Sequence, residues 1–215
     1  SEGCITVQDE SAMLAVLALE VKKNQKLFDM CAAPGGKSTH MAELLQGTGS
    51  VLAWDLYDHK IDLILDNARR LGIKNIHAEV ADATKFNDKL QATFDGVLVD
   101  VPCSGLGIIR KKPEIKWTKT QKDMEALYHI QESILENACK YVKKGGTVVY
   151  STCTLNVMEN EKRIYKFLKK NKEFEIEKLN FGIHNNFLYN DSGMLTILPS
   201  AEMDGFFIAK LRRKI

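Results

Sequence analysis

The sequence lacks the marks of a membrane-inserted, disulfide-stapled or zinc-binding protein. No apolar run approaches the length of a membrane span, and the N-terminus has no charged-then-apolar signal pattern. The five cysteines are an odd number at unequal spacing and include no C-x-x-C pair, which argues against structural disulfides and against a zinc site. We therefore expect reduced thiols, no metal and a cytoplasmic protein.

The sequence also lacks a strong charge of either sign. A net charge of +2 does not by itself indicate nucleic acid, although a local basic patch can still bind it. The length of 215 residues suits one domain, with residues 1–25 as a helical lead-in. Because the first residue is Ser rather than Met, we expect that an upstream segment is missing from this sequence.

Short apolar segments alternate along the chain with patterns of helical period. This alternation predicts an α/β fold with a mostly parallel sheet and helices on both faces. Ligands of such sheets bind beyond the carboxyl ends of the strands. The residues that carry candidate chemistry all fall just after a predicted strand: Cys31, Asp55, Asp82, Asp100, Cys103 and Cys153.

The same patterns predict the element boundaries. We expect helices over 10–21 and 158–170, and strands over 147–150, 175–178, 194–198 and 206–211. The pair Gly145-Gly146 is expected to turn the chain into the strand at 147–150.

Residues 29–38, DMCAAPGGKS, have the pattern of a strand end, a tight turn and a helix start. Gly35 and Gly36 let a ligand approach the backbone because neither carries a Cβ, and the amides of a helix N-terminus point toward such a ligand. The candidate binding segment is Cys31, Ala32, Ala33, Pro34, Gly35, Gly36 and Lys37. This turn therefore predicts a small-molecule site.

The ligand of this turn is narrowed by elimination. A P-loop needs a glycine five residues before its second glycine, where Cys31 stands, and residues 31–36 do not supply the dinucleotide fingerprint G-x-G-x-x-G. A nucleoside cofactor without a phosphate chain is left, with Asp55 as the carboxylate for its ribose hydroxyls. S-adenosylmethionine fits this pattern best.

Two cysteines suggest chemistry beside a methyl donor. If adjacent parallel strands carry Cys103 and Cys153, both thiols open onto one pocket. A thiolate added to C6 of a pyrimidine makes an enamine whose C5 can accept a methyl group. Lys37 is a candidate for favouring the thiolate, and Asp100 for bonding the exocyclic amine and N3 of cytosine. Each cysteine taken singly can equally be a small buried hydrophobe, as we expect for Cys139, and Cys4 is expected to be structural or incidental.

Four motifs together resemble one family. They are Asp-x-Cys-Ala-Ala-Pro-Gly-Gly-Lys at 29–37, Asp-x-Pro-Cys-Ser-Gly at 100–105, Ile-Arg-Lys-Lys-Pro-Glu-Ile-Lys-Trp at 109–117, and Ser-Thr-Cys-Thr at 151–154 with a downstream Glu-Asn-Glu. The chain thereby resembles the Sun/Fmu-type RNA 5-methylcytosine methyltransferases from about residue 7 to about residue 207.

The resemblance implies a class I S-adenosylmethionine-dependent methyltransferase fold, a Rossmann-like, seven-stranded sheet whose last strand is antiparallel. It implies methylation of cytosine C5 in small-subunit (16S) ribosomal RNA, with Cys153 as nucleophile and Cys103 linked to product release. By the same resemblance, the segment from Cys31 to Lys37 binds the cofactor together with Asp55, Asp82 and Asp100. A further N-terminal RNA-binding domain is implied outside this sequence, and we expect a monomer.

The basic loop after Cys103 is the candidate RNA surface. We expect Arg110, Lys111, Lys112 and Lys116 to contact phosphates, although a solvated charged surface explains them equally well. Trp117 is expected in the core. Glu159 and Glu161 are expected to be charges at a helix N-terminus rather than catalysts.

Two rival functions stay open on the sequence alone. One is a non-catalytic RNA-binding or assembly module that keeps a vestigial cofactor fold. The other is methyl transfer to a different substrate, such as transfer RNA or protein.

Overall fold

The computed structural model describes residue 3 and residues 5–118 and 120–215, so Cys4 lies outside the described residues. The strands are β1 Lys26–Asp29, β2 Ser50–Asp55, β3 Ile76–Val80, β4 Phe94–Asp100, β5 Val142–Thr152, β6 Phe174–Glu177, β7 Phe187–Tyr189, β8 Leu195–Ile197 and β9 Phe206–Arg213. The α-helices are α1 Glu10–Leu17, α2 Gly36–Leu44, α3 Asp58–Arg70, α4 Ile115–Thr118, α5 Gln121–Tyr141 and α6 Glu161–Lys170.

These strands form a single mixed sheet in the order β3-β2-β1-β4-β5-β9-β8-β7, with β6 also paired to β9. Strands β1 to β5 run parallel, and β9 is antiparallel to β5. The predicted α/β class and the antiparallel last strand are confirmed. The expected count of seven strands is wrong, because within the described residues β6 and the β7–β8 hairpin add to the sheet beyond β5, giving nine.

Helices cover both faces of the sheet because its central strands are apolar on both sides. In β4, Leu98 joins an apolar cluster with residues of α1, α2 and α3, whereas Val97 and Val99 join a cluster with residues of α5 and α6. Alternate side chains of a strand point to opposite faces, which places one cluster on each side. Each buried side chain of this size contributes about 1.5–3 kcal/mol, so the parallel strands are fixed in place.

The N-terminal lead-in is less helical than the sequence suggested. Helix α1 covers Glu10–Leu17 rather than 10–21, and Asp9 caps it by accepting a hydrogen bond from the backbone of Ser11. The chain cannot continue as a helix because Glu20 and Asn24 have positive φ angles of 53° and 64°.

The Gly145-Gly146 pair lies inside β5 rather than before it. The register with β4 shifts between Phe94 and Gly96, so β5 bulges where the sequence predicted a turn. Gly145 has a φ of 75°, a conformation that glycine adopts without steric cost. The consequence for the site is small, because the regular part of β5 begins at Thr147, as predicted, and it extends to Thr152, two residues beyond the predicted 147–150.

In the described part of the chain, no helix has the length and apolar content needed to cross a membrane.

Candidate active site

The turn after β1 is tightly bonded to its neighbours. The Ala32 backbone N–H donates to the Trp54 carbonyl oxygen at 2.8 Å, and the Ala33 N–H donates to Asp55 Oδ2 at 3.2 Å. Gly35 has a φ of 104°, and a Cβ there would lie 3.0 Å from the Cα of Ile64 in α3. The turn is thus held against both β2 and α3, and α2 begins at the next residue.

A cavity of about 550 Å³ opens at the carboxyl ends of β1 to β4. Of the residues expected to bind the cofactor, five line it: Cys31, Ala33, Asp55, Asp82 and Asp100. The other members of the predicted segment do not line it: Ala32, Pro34 and Gly35 lie in the turn, and Gly36 and Lys37 begin α2.

The chemistry of this cavity suits a nucleoside better than a phosphate. Three carboxylates face it, and carboxylates accept hydrogen bonds from hydroxyl and amino groups but repel phosphates. A hydrogen bond from the Thr84 hydroxyl holds the pKa of Asp82 below its ordinary value, so Asp82 stays an acceptor at neutral pH. Leu56 and Ile134 add apolar wall for a ring.

Asp100 connects this cavity to the neighbouring basic and hydroxyl groups. Its Oδ2 accepts from Lys37 Nζ at 2.6 Å, and its Oδ1 accepts from the Ser151 hydroxyl at 2.8 Å. Burial by itself lowers the pKa of Lys37, but the adjacent Asp100 carboxylate outweighs it and raises that pKa above its ordinary value. Lys37 is therefore a fixed positive charge at neutral pH.

The two candidate cysteines lie in contact. Asp100 of β4 pairs with Ser151 of β5, and the chain beyond each strand brings Cys103 Sγ to 3.2 Å from Cys153 Sγ. The hydrogen bond with the Cys103 thiol lowers the pKa of Cys153, against burial, and the charge of Lys37 lowers it further. The same hydrogen bond raises the pKa of Cys103. Of the two thiols, Cys153 is therefore the one whose pKa is lowered.

The remaining described cysteines have no such activation. Burial raises the pKa of Cys31 and of Cys139 well above the ordinary value. Cys139 packs in the apolar cluster under α5, as expected for a small buried hydrophobe.

Glu159 is not the helix N-terminal charge that its position in the sequence predicted. It was expected to be a charge at the start of a helix, but α6 begins at Glu161, and Glu159 is 0% exposed among the loops that carry the cysteines. Glu161 does lie in the first turn of α6. The only signal in the sequence was that Glu159 follows Cys153 by six residues.

The basic loop is less free than expected. Arg110 donates to the carbonyl oxygens of Ser200 and Ala201, and Lys111 bonds Asp9 at 2.8 Å and Asp204 at 2.6 Å. Lys112 and Lys116 are exposed. Contact of this loop with RNA phosphates stays a prediction, and the structure leaves it chiefly to Lys112 and Lys116.

The prediction that Trp117 is in the core is wrong, since this residue is 86% exposed. Helix α4 is a single turn whose buried residue is Ile115. Two residues later the side chain points away from the core, because successive helical positions are about 100° apart. Among the described residues, no group of three or more His, Cys, Asp or Glu side chains is placed to hold a metal ion.

Comparisons with known proteins give a consistent result. A family model described as 16S rRNA methyltransferase RsmB/F matches residues 16–212. A Bacillus subtilis (strain 168) protein named probable ribosomal RNA small subunit methyltransferase B is 46% identical over 99% of this chain and 48% of its own length. The human 28S rRNA (cytosine(4447)-C(5))-methyltransferase is 36% identical over 98% of this chain and 28% of its own length.

A solved structure shows the same fold. NSun6 from Pyrococcus horikoshii, determined with SFG, is 32% identical, superposes with a TM-score of 0.86, and is matched over 99% of this chain and 54% of its own. The chain spans about half the length, or less, of the curated relatives it matches.

Proposed function

Because this chain belongs to the RsmB/F family of 16S rRNA methyltransferases, we propose that it methylates C5 of a cytosine in small-subunit (16S) ribosomal RNA. The observation that carries the proposal is the Cys103–Cys153 thiol contact of 3.2 Å, placed beside the Lys37–Asp100 ion pair. We place the reaction on ribosomal RNA in the cytoplasm, with the chain acting as a monomer.

The cofactor of this reaction is S-adenosylmethionine. The cavity fits it, since Asp55 and Asp82 would accept from its hydroxyl and amino groups, and a wall of carboxylates favours a ligand that carries a positive charge. When bound, S-adenosylmethionine supplies its methyl group as an electrophile. Support for this choice comes from the NSun6 structure, whose ligand SFG is an analogue of the same cofactor.

The first step belongs to Cys153. Its thiolate adds to C6 of the cytosine, the S–C6 bond forms, and the electron pair of the C5–C6 double bond moves to make C5 nucleophilic. Asp100 retains lone pairs beyond those used by Lys37 and Ser151, and it can hold the exocyclic amine and a protonated N3. That contact stabilises the charge that develops on the ring and selects cytosine over uracil.

The last step belongs to Cys103. After C5 has taken the methyl group, its proton must leave so that the C5–C6 double bond re-forms and the S–C6 bond breaks. The hydrogen bond to Cys153 is the largest cause of the raised pKa of Cys103. That cause disappears when Cys153 is bonded to carbon, so the Cys103 thiol gives up its own proton to solvent more readily, and the thiolate that results takes the proton from C5.

The test is methyl transfer from labelled S-adenosylmethionine to unmethylated 16S ribosomal RNA. We expect label at cytosine C5 with the native chain and none with Cys153→Ser, while both bind the cofactor equally. Cys103→Ala should instead accumulate a covalent RNA–protein adduct that survives denaturing electrophoresis. Equal transfer by Cys153→Ser would refute the nucleophile, and label on transfer RNA alone would refute the substrate.

A further inference from the structure

A buried carboxylate lies between the two loops that carry the cysteines. Glu159 is 0% exposed, and both of its oxygens accept hydrogen bonds. Oε2 accepts from the Ser104 backbone N–H at 2.9 Å and from Gln131 Nε2 at 2.8 Å. Oε1 accepts from the Ser104 hydroxyl at 2.5 Å and from Asn156 Nδ2 at 3.0 Å. An ionised carboxylate satisfies all four donors at once, since it is an acceptor only.

These bonds tie the carboxylate directly to the neighbour of Cys103 and, through it, to the neighbour of Cys153. Ser104 follows Cys103, and its hydroxyl lies 2.8 Å from the hydroxyl of Thr154, which follows Cys153. The Glu159 backbone is fixed as well, because its carbonyl oxygen accepts from the buried Tyr150 hydroxyl at 2.7 Å.

Helix α5 joins the same arrangement through one side chain. Gln131, itself 0% exposed, donates both to Glu159 and to the carbonyl oxygen of Pro102 at 3.0 Å. Both neighbours of Cys103 are therefore held. Pro102 is bonded by Gln131, which itself bonds Glu159, and Ser104 is bonded by Glu159 directly.

We propose that Glu159 is a positioning residue that keeps the sulfur of Cys103 within hydrogen-bonding distance of the sulfur of Cys153. The role of that contact in methyl transfer rests on the proposed function, whereas the contact itself does not. Glu159 bonds to Ser104 and, through its hydroxyl, to Thr154, and it acts through these two neighbours of the cysteines. By holding the thiol donor in place, it favours the thiolate of Cys153 before any RNA arrives.

The variant Glu159→Gln isolates this role because it keeps the shape and changes the bonding. One carboxylate oxygen becomes an amide NH₂, which then faces two donors in a buried site and leaves them without an acceptor. The Ser104 segment is expected to shift, and the sulfur–sulfur contact to lengthen. Glu161→Gln is the matched control, since Glu161 lies in the first turn of α6 and accepts from Thr196 rather than from a cysteine loop.

The measurement is the rate of alkylation of Cys153 by iodoacetamide as a function of pH, followed by mass spectrometry of the peptide that contains it. For Glu159→Gln we expect the midpoint to rise toward that of a free cysteine, about 8.5, with alkylation near neutral pH slowed about tenfold. Glu161→Gln should keep the native profile. A native profile in a folded Glu159→Gln protein overturns the proposal.

A second variant covers the case in which Glu159→Gln does not fold. Ser104→Ala removes the hydroxyl that joins Glu159 to Thr154 while keeping the backbone N–H, and it should raise the same midpoint by a smaller amount. An unchanged midpoint in that variant also overturns the proposal.

The assay uses neither RNA nor cofactor, so it separates the two proposals. A shifted profile in Glu159→Gln together with an absence of methyl transfer by the native chain would refute the function and leave the positioning role standing. If the native chain is active, Glu159→Gln should lower kcat about 100-fold, as expected for misplaced reacting groups. The KM for S-adenosylmethionine should be unchanged.

Discussion

Asp29 gives a stability prediction that depends on pH in a defined direction. Its carboxyl ends β1 and is 1% exposed, and burial raises its pKa from 3.8 to about 6. The Ser38 hydroxyl donates to Oδ2 at 2.7 Å, whereas Oδ1 has no hydrogen-bond partner among the described residues. The variant Asp29→Asn keeps an acceptor for Ser38 and removes the buried charge.

The magnitude follows from the difference between the two pKa values. Each unit corresponds to about 1.4 kcal/mol, so a rise of about two units corresponds to about 3 kcal/mol. Between pH 3.8 and about 6 the folded state holds a proton that the unfolded state has lost, and the stability of the native chain therefore falls as pH rises through this window. Asn is uncharged at every pH. About 0.5 kcal/mol of this is already lost at pH 4, so the variant should gain on the native chain by about 2.5 kcal/mol between about pH 4 and about pH 8.

The assay is urea unfolding of both proteins at these two pH values, with the free energy of unfolding extrapolated to water. Asp62→Asn, on the exposed side of α3, controls for the loss of one carboxylate. The comparison uses the change in the difference between variant and native chain, so a constant penalty from imperfect packing of Asn cancels. A difference that is the same at both pH values, within about 0.5 kcal/mol, would refute the argument that Asp29 is ionised at a cost.

Three further substitutions test the site and its surroundings. Lys37→Met leaves Asp100 with no bonded cation, so the free energy of unfolding in urea should fall by about 3 kcal/mol. A fall below about 1 kcal/mol would mean that burial of the ion pair does not affect stability. Gly107→Ala puts a Cβ against the carbonyl oxygen of Gly205 and 2.8 Å from that of Cys153, so the melting temperature should fall by an amount that corresponds to about 1–3 kcal/mol, and an unchanged value would contradict the packing. Trp117→Ala should change the unfolding free energy by less than about 0.5 kcal/mol because the ring is exposed. A loss above about 2 kcal/mol would contradict that exposure and indicate a core position.

The parts of the fold that were predictable are those set by local pattern and by the geometry of parallel strands. The positions of Cys103 and Cys153 just after two apolar segments were enough to place both thiols at one edge, because the carboxyl ends of parallel strands meet there. Strand β7, Phe187–Tyr189, was missed because three residues carry too little periodicity to be recognised. It exists through its antiparallel pairing with β8, which is a tertiary contact.

The site residues that were misjudged depend on such tertiary contacts. Two residues before α6, Glu159 has the sequence context of a helix N-terminal charge, and its burial comes from loops and from α5, which lie far from it in the chain. Trp117 has the large aromatic side chain that is expected in a core. Its exposure follows from the length of α4, a single turn that buries only Ile115. In both cases the local sequence pattern was recognised, but it does not show which distant parts of the chain pack against the residue.

Lys37, the second residue of α2, offsets the effect of Asp100 on Cys153. Asp100 lies at the edge of the cavity, and its charge raises the pKa of Cys153. Lys37 bonds Asp100 at 2.6 Å and lowers the pKa of Cys153 in the same place, so it compensates for the carboxylate without displacing it. The hydrogen bond from Cys103 then decides the direction of the shift. An acidic cavity and a thiol of lowered pKa can therefore be neighbours, because the cation of Lys37 and the contact with Cys103 both act against the nearby carboxylate.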